Sequence, residues 1–147
     1  MSADQKPTEV ARRSKLALWV LTLFAVVATG GAVVLFTLSG WSAPARARNT
    51  PNPVPRTREA IRSGMTTYRD HCESCHGIAG DGKGERAEKL NVAPADLTDG
   101  NAMAGETDGI LFWKISEGHR PMPGYKSKLS ETERWELVDY IRTLEKK

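Results

Sequence analysis

Tyr68-Arg69-Asp70-His71-Cys72-Glu73-Ser74-Cys75-His76 holds both cysteines of the 147-residue chain, three positions apart and followed at once by a histidine. Cys72, Cys75 and His76 stand at i, i+3 and i+4, so on a helical turn the two thiols and the imidazole share one face. Covalent attachment of a c-type haem needs that arrangement, with two thioether bonds to the porphyrin's vinyl carbons and an imidazole on the iron. Competing uses of the motif fail on what surrounds it. A zinc site needs about four ligands, and outside the motif the chain has no cysteine and only His71 and His119. A thioredoxin-like dithiol needs a strand leading in, whereas the residues before Cys72 carry a helical pattern. The expected cofactor is one haem c, covalent through Cys72 and Cys75, with His76 as an axial iron ligand.

Outward from the motif, Ile61, Met65, Tyr68 and Cys72 recur at spacings of four, three and four, one stripe of an amphipathic helix. After His76, the glycines Gly77, Gly80, Gly82 and Gly84 punctuate a loop that can fold close around a porphyrin. Asp108 to Glu117, DGILFWKISE, reads as a short middle helix with Ile110, Leu111, Trp113 and Ile115 available to line a pocket. Ser130-Glu131-Thr132-Glu133 is a capping box that starts a last helix, whose buried face is Leu137, Tyr140, Ile141 and Leu144. Trp135 lies off that stripe and flanks it.

From about Thr57 to Lys147 the chain resembles the class I cytochromes c, small all-α monohaem electron carriers. Gly64 and Tyr68 precede Cys72 by eight and four, matching the small and aromatic pair of that family's first helix. The resemblance implies a fold of three to four helices around a covalent haem. It also implies that the Gly64–Tyr68 pair crosses Leu137 to Ile141 at close range, with Tyr140 at the crossing. By the same resemblance, Pro94 supplies the backbone carbonyl that accepts from the axial histidine and fixes its tautomer, and Leu97 packs on the ring. Trp113, Arg120 and Tyr125 are candidates for contacting the haem propionates.

The second axial position decides between electron transfer and small-molecule chemistry. Of the four methionines, Met1 lies far from the motif and Met65 sits on the helix leading into it, on the attachment side. Met103 and Met122 remain. Met122 is embedded in Arg120-Pro121-Met122-Pro123-Gly124-Tyr125, where two prolines forbid helix and stiffen a loop. The family's distal ligand sits in such a Met-Pro loop before the C-terminal helix. Met122 is therefore the expected ligand, with His119 and then Met103 as the other candidates. His and Met together would close the iron to exogenous ligands and favour outer-sphere electron transfer; a five-coordinate iron would instead permit catalysis or sensing.

The formal charge of +3 invites a nucleic-acid partner, but its distribution removes the reason. Residues 1–45 carry a net +2, residues 46–58 carry four arginines and no acid, and residues 59–147 carry 13 basic against 16 acidic side chains. The segment long enough to fold is mildly acidic, so no nucleic-acid partner is expected. From Leu16 to Leu38 there are 23 residues without a charge. As a helix they would cover roughly 34 Å, enough to cross a hydrocarbon core of about 30 Å. Trp19 and Trp41 lie near the ends, where indole favours the interface, and Arg12, Arg13 and Lys15 place the N-terminus inside. Ala43-Pro44-Ala45 also resembles a signal cleavage site, but a signal's apolar core is typically about 7 to 15 residues, so a retained anchor is expected. Pro44, Pro51, Pro53 and Pro55 then read as an extended tether.

The expected organisation is a cytoplasmic N-terminus over 1–15, a transmembrane anchor over 16–38, a Pro/Arg-rich linker over 39–58 and a haem domain over 59–147. The expected role is that of an electron carrier on the outer, periplasmic face of a bacterial cytoplasmic membrane, passing single electrons from a redox-protein donor to an acceptor. A fixed subunit of a larger membrane redox complex is the alternative.

Overall fold

The structure, a computed structural model, describes residues 19–22 and 41–146. The chain divides into two units, residues 1–42 and 43–147. In the first, residues 19–22 are helical, with Trp19, Val20 and Leu21 exposed. No helix of the described residues is long and apolar enough to cross a membrane. The expected N-terminus over 1–15 and most of the span expected over 16–38 lie outside the described residues.

The second unit is all-helical among its described residues. Its order is α1 (Ala45–Arg48), α2 (Arg58–His71), α3 (Glu73–His76), a 3-10 turn (Ala87–Lys89), α4 (Gly100–Met103), α5 (Asp108–Glu117) and α6 (Glu131–Leu144). Each long helix starts on a side-chain cap that satisfies an otherwise orphaned N–H. The Thr57 hydroxyl accepts from Ala60 N at 3.1 Å, and the Thr107 hydroxyl from Ile110 N at 3.3 Å. Ser130 and Glu133 form the reciprocal capping box read from the sequence, with Glu133 Oε2 accepting from Ser130 N at 2.8 Å.

α2 crosses α6 backbone to backbone. A Cβ at Gly64 would lie 2.0 Å from the Glu136 carbonyl oxygen, so only glycine fits. Tyr68 packs on Tyr140 with ring centroids 5.2 Å apart, and the Ser63 hydroxyl donates to Glu136 Oε2 at 2.5 Å. The buried line of α2 is Ala60, Gly64, Thr67 and Tyr68, while Ile61 and Met65 are only half-buried. The apolar stripe is thus rotated by one position from the one read in the sequence. Small residues take the centre because the crossing is made by backbone, and larger side chains flank it.

Leu137 and Val138 are fully buried and Trp135 is 2% exposed, which makes α6 the spine of the core. Trp135 stacks on Phe112 of α5, centroids 3.9 Å apart and planes within 11°, and Arg134 lies over the other ring's face at 4.7 Å. Arg142 ties the far ends together, bonding Asp108 Oδ1 at 2.7 Å and the Glu106 carbonyl.

Residues 43–57 differ from the expected extended tether. α1 forms because Pro44 stands at its N-cap, where the missing N–H costs nothing, and no proline follows until Pro51. Ala47 is 6% exposed and its carbonyl lies against Gly109, where a Cβ would come within 2.0 Å. The Thr107 hydroxyl donates to the Arg48 carbonyl at 3.0 Å, Asn52 Nδ2 donates to Asp139 Oδ1 at 3.0 Å, and Arg56 donates to the Asp139 carbonyl at 3.3 Å. Proline density was expected to block helix here, yet α1 forms between Pro44 and Pro51, and the extended backbone after it is stitched onto a neighbouring surface through its polar groups.

Candidate haem site

Cys72 closes α2 by donating its N–H to the Tyr68 carbonyl at 2.8 Å, and the chain re-enters helix over α3. Cys75 N and His76 N both donate to the Cys72 carbonyl, at 3.1 and 2.8 Å, which puts the motif on a helical turn. Both cysteines are free and half-buried, and no disulfide joins them. Burial, with Cys75 beside it, pushes the Cys72 thiol up to about 12.

The loop after His76 folds back onto α3. Gly82 N donates to the His76 carbonyl at 2.8 Å, Gly84 N to Cys75 at 3.1 Å and Arg86 N to Ser74 at 2.8 Å. A Cβ at Gly84 would come 2.4 Å from the Ser74 carbonyl oxygen, so the glycine-rich composition is a matter of clearance. Leu97 N donates to the Gly80 carbonyl at 2.7 Å and brings the 94–97 segment against the motif, with Leu97 itself 8% exposed in the core.

His76 Nδ1 lies 3.1 Å from the Ala95 carbonyl. With Nδ1 as the donor, Nε2 keeps its lone pair for a metal. Burial lowers the His76 pKa and outweighs the opposing effect of the Ala95 bond, which keeps the imidazole in the neutral, ligating form. The acceptor is one residue beyond the expected Pro94. The Pro94 carbonyl faces Gly82 instead, at 2.7 Å from where a Cβ would stand. The 3-10 turn at Ala87–Lys89 sits in the long connection from His76 and is part of why the register could not be fixed by counting.

Two tyrosines bracket the motif. The Tyr68 hydroxyl donates to the Gly77 carbonyl at 2.7 Å, and the Tyr125 hydroxyl to the His71 carbonyl at 2.8 Å. Burial raises both phenols, Tyr125 to about 12 with Cys72 and Cys75 adding to the rise, so each remains a donor across the working pH range. Neither role was read from the sequence; aromatic residues just before Cys72 and just after Met122 were the available signal. Tyr125 was expected as a candidate propionate contact, but its one proton is committed to His71. Of the other two candidates, Arg120 is exposed and Trp113 half-buried.

Met122 sits at the tip of a loop closed by paired backbone bonds, His119 N to the Met122 carbonyl at 3.0 Å and Met122 N to His119 at 2.8 Å. Its base is pinned to α5 by Tyr125 N on the Ile115 carbonyl at 3.0 Å and Lys126 N on Ser116 at 3.1 Å. Met122, half-buried, packs against the same core as Cys72 and Leu97. Of the other ligand candidates, His119 is exposed and Met103 is 4% exposed within the core.

These residues fit a covalently held haem: two unpaired thiols on one helical turn, a neutral imidazole with a free Nε2, and apolar walls from Leu97 and the core. They do not fit a bare ion, since no group of three or more His, Cys, Asp and Glu among the described residues could hold one.

No curated protein matches the chain. Among solved structures, one similar chain comes from the "Kuenenia stuttgartiensis reducing HAO-like protein complex Kustc0457/Kustc0458", with a TM-score of 0.59 and 26% identity. That overlay covers 72% of this chain and 53% of the other, so the chain spans about half the length of that relative. A second, the "KustC0563 c-type cytochrome", is 31% identical with a TM-score of 0.51, covering 56% of this chain and 98% of that one. The family described as "Cytochrome C oxidase, cbb3-type, subunit III" matches residues 59–141. That match runs from the first turn of α2 to the buried face of α6, with the attachment motif inside it, and the chain belongs to this cytochrome c family as a monohaem class I c-type cytochrome with covalently bound haem c.

Proposed function

We propose that the protein is a membrane-tethered carrier that takes single electrons from one redox protein and passes them to another on the outer face of a bacterial cytoplasmic membrane. The observation that carries the electron-transfer part is the His76 imidazole, held neutral with Nδ1 on the Ala95 carbonyl beside two thiols on one turn. Bound haem c supplies a one-electron couple at its iron. Cys72 and Cys75 would hold the group by thioether bonds and His76 would ligate its iron through Nε2. Met122 would supply the second ligand, which would raise the potential relative to two nitrogen ligands and disfavour binding of outside ligands. Leu97 would help keep water from the group. A chain with these features is an electron carrier and not an enzyme.

The tether and location rest on the sequence: the uncharged stretch over 16–38, the basic flank Arg12, Arg13 and Lys15, and attachment chemistry that the family carries out outside the cytoplasm. A redox titration followed by absorption spectra tests the carrier reading. One reversible one-electron wave is expected, with a weak sulfur-to-iron charge-transfer band in the oxidised form; absence of the band removes Met122 as ligand. The mass of the mature protein tests the anchor, since loss of about 45 residues would mean a cleaved signal.

A second reading is favoured by residues 43–57, which are stitched to the domain by Asn52 and Arg56 and form no free leash. Such a domain suits a fixed subunit of a larger redox assembly. Purification in mild detergent separates the two: co-migration with a large complex supports the subunit, and a monodisperse small species supports the carrier.

A further inference from the structure

We propose that Tyr125 is the positioning residue for the distal ligand: by donating its hydroxyl to the His71 carbonyl, it ties the Met122 loop to the attachment helix and sets how firmly Met122 is held. This rests on Met122 as the distal ligand. Backbone bonds close the loop's tip between His119 and Met122, secure it to α5 through Ile115 and Ser116, and join the Tyr125 carbonyl to Lys128 N and Leu129 N, at 3.0 and 2.9 Å. The Tyr125 bond crosses instead to the carbonyl just before Cys72, at 2.8 Å, from a residue only 7% exposed. Its ring also packs on His71, with centroids 5.6 Å apart.

Only Pro123 and Gly124 separate Tyr125 from Met122, and proline fixes one of the few torsions between them. Displacement of Met122 by an outside ligand requires the loop to move, and the loop cannot move away from α2 and α3 while this bond holds. The bond and the ligation are thus coupled, and deleting one weakens the other.

Tyr68 provides a matched contrast. It too is buried and donates to a motif carbonyl, that of Gly77 at 2.7 Å, but it stands on α2, and its hydroxyl bonds within the attachment side and not to the loop. In oxidised holo-protein titrated with imidazole, loss of the charge-transfer band reports displacement of Met122. Tyr125→Phe is expected to bind imidazole roughly tenfold more tightly than wild type, the worth of one buried neutral hydrogen bond, whereas Tyr68→Phe is expected to match wild type. Equal affinity in Tyr125→Phe and wild type overturns the proposal, as does an equal shift in both phenylalanine variants.

Met122→Ala separates this from failure of the ligand assignment. If the wild type lacks the band, or Met122→Ala keeps it, the assignment falls and the tyrosine role falls with it. If the band behaves as expected and Tyr125→Phe is unmoved, only the tyrosine role falls. Should Tyr125→Phe fail to mature, the wild type alone decides by NMR. Saturating imidazole is expected to speed solvent exchange of the Tyr125 hydroxyl proton at least roughly tenfold if the bond and the ligation break together; unchanged exchange overturns the proposal.

Discussion

The attachment segment, residues 71–97, and the Met122 loop, residues 118–126, are the two sides of the proposed site and are held by different means. On the attachment side, the backbone of 82–86 returns three hydrogen bonds to α3, Leu97 is latched to Gly80, and His76 is latched to Ala95. On the Met122 side, a short pair closes the tip, backbone bonds to α5 and from Lys128 and Leu129 secure the base, and one tyrosine hydroxyl reaches across to α2. In the folded domain, a ligand fixed by backbone on every flank is held whether or not the opposite loop moves. One carried on a proline-stiffened loop depends on the loop staying shut.

The largest effect should come from removing the group both sides enclose. Residues 59–147 make a small core, and domains of such size depend on a prosthetic group or crosslink for much of their stability. Cys72→Ala/Cys75→Ala is therefore expected to lose most of its helix in far-ultraviolet circular dichroism; native-like helix in that variant would show that the polypeptide suffices. Next comes the attachment side alone. Gly84→Val places a side chain 2.4 Å from the Ser74 carbonyl oxygen, and moving backbone there should cost roughly 3 kcal/mol or more, read by chemical denaturation of the holo-protein.

The equivalent insult on the distal side should be milder. Met122→Ala truncates a half-buried side chain, so a stability loss of about 1–2 kcal/mol is expected. Its main signature is functional: loss of the charge-transfer band and a lower reduction potential. If Met122→Ala proved as destabilising as Gly84→Val, the contrast between the two sides would be wrong.

The smallest effect lies outside the site, at Asp139. Burial raises its pKa despite Arg56 and the Asn52 bond, and its Oδ2 has no hydrogen-bond partner. A carboxyl whose folded pKa is raised contributes stability that is fully present below the unfolded pKa of about 3.9 and lost as pH rises through the folded one. Asp139→Asn should thus have a slightly higher melting temperature at neutral pH, with the gap closing on acidification toward pH ~4. A gap independent of pH would assign the effect to packing.

Much of this was legible in the sequence, for physical reasons that differ by region. The motif, the helix over 108–117 and the capping box rest on short-range spacing and periodicity, while the Gly64–Tyr68 crossing came from the resemblance to the class I cytochromes c and has its physical reason in the backbone contact at Gly64. The position of the histidine's acceptor did not follow, because the path from His76 to Leu97 depends on where each glycine lets backbone approach backbone. The burial of Ala60 in place of Ile61 was likewise set by the depth of the helix crossing. The tyrosine clamps were hidden because their acceptors are carbonyls, and a carbonyl leaves no trace in the residue letters.

The stitching of residues 43–57 also bears on the order in which the molecule can be made. Arg48 accepts from a residue 59 positions later, and Asn52 donates to one 87 positions later. Loop closure over such distances is paid for before it is rewarded. The segment that leaves the ribosome ahead of the haem motif therefore has nothing to dock on until α5 and α6 exist, and its docking marks the completion of the domain.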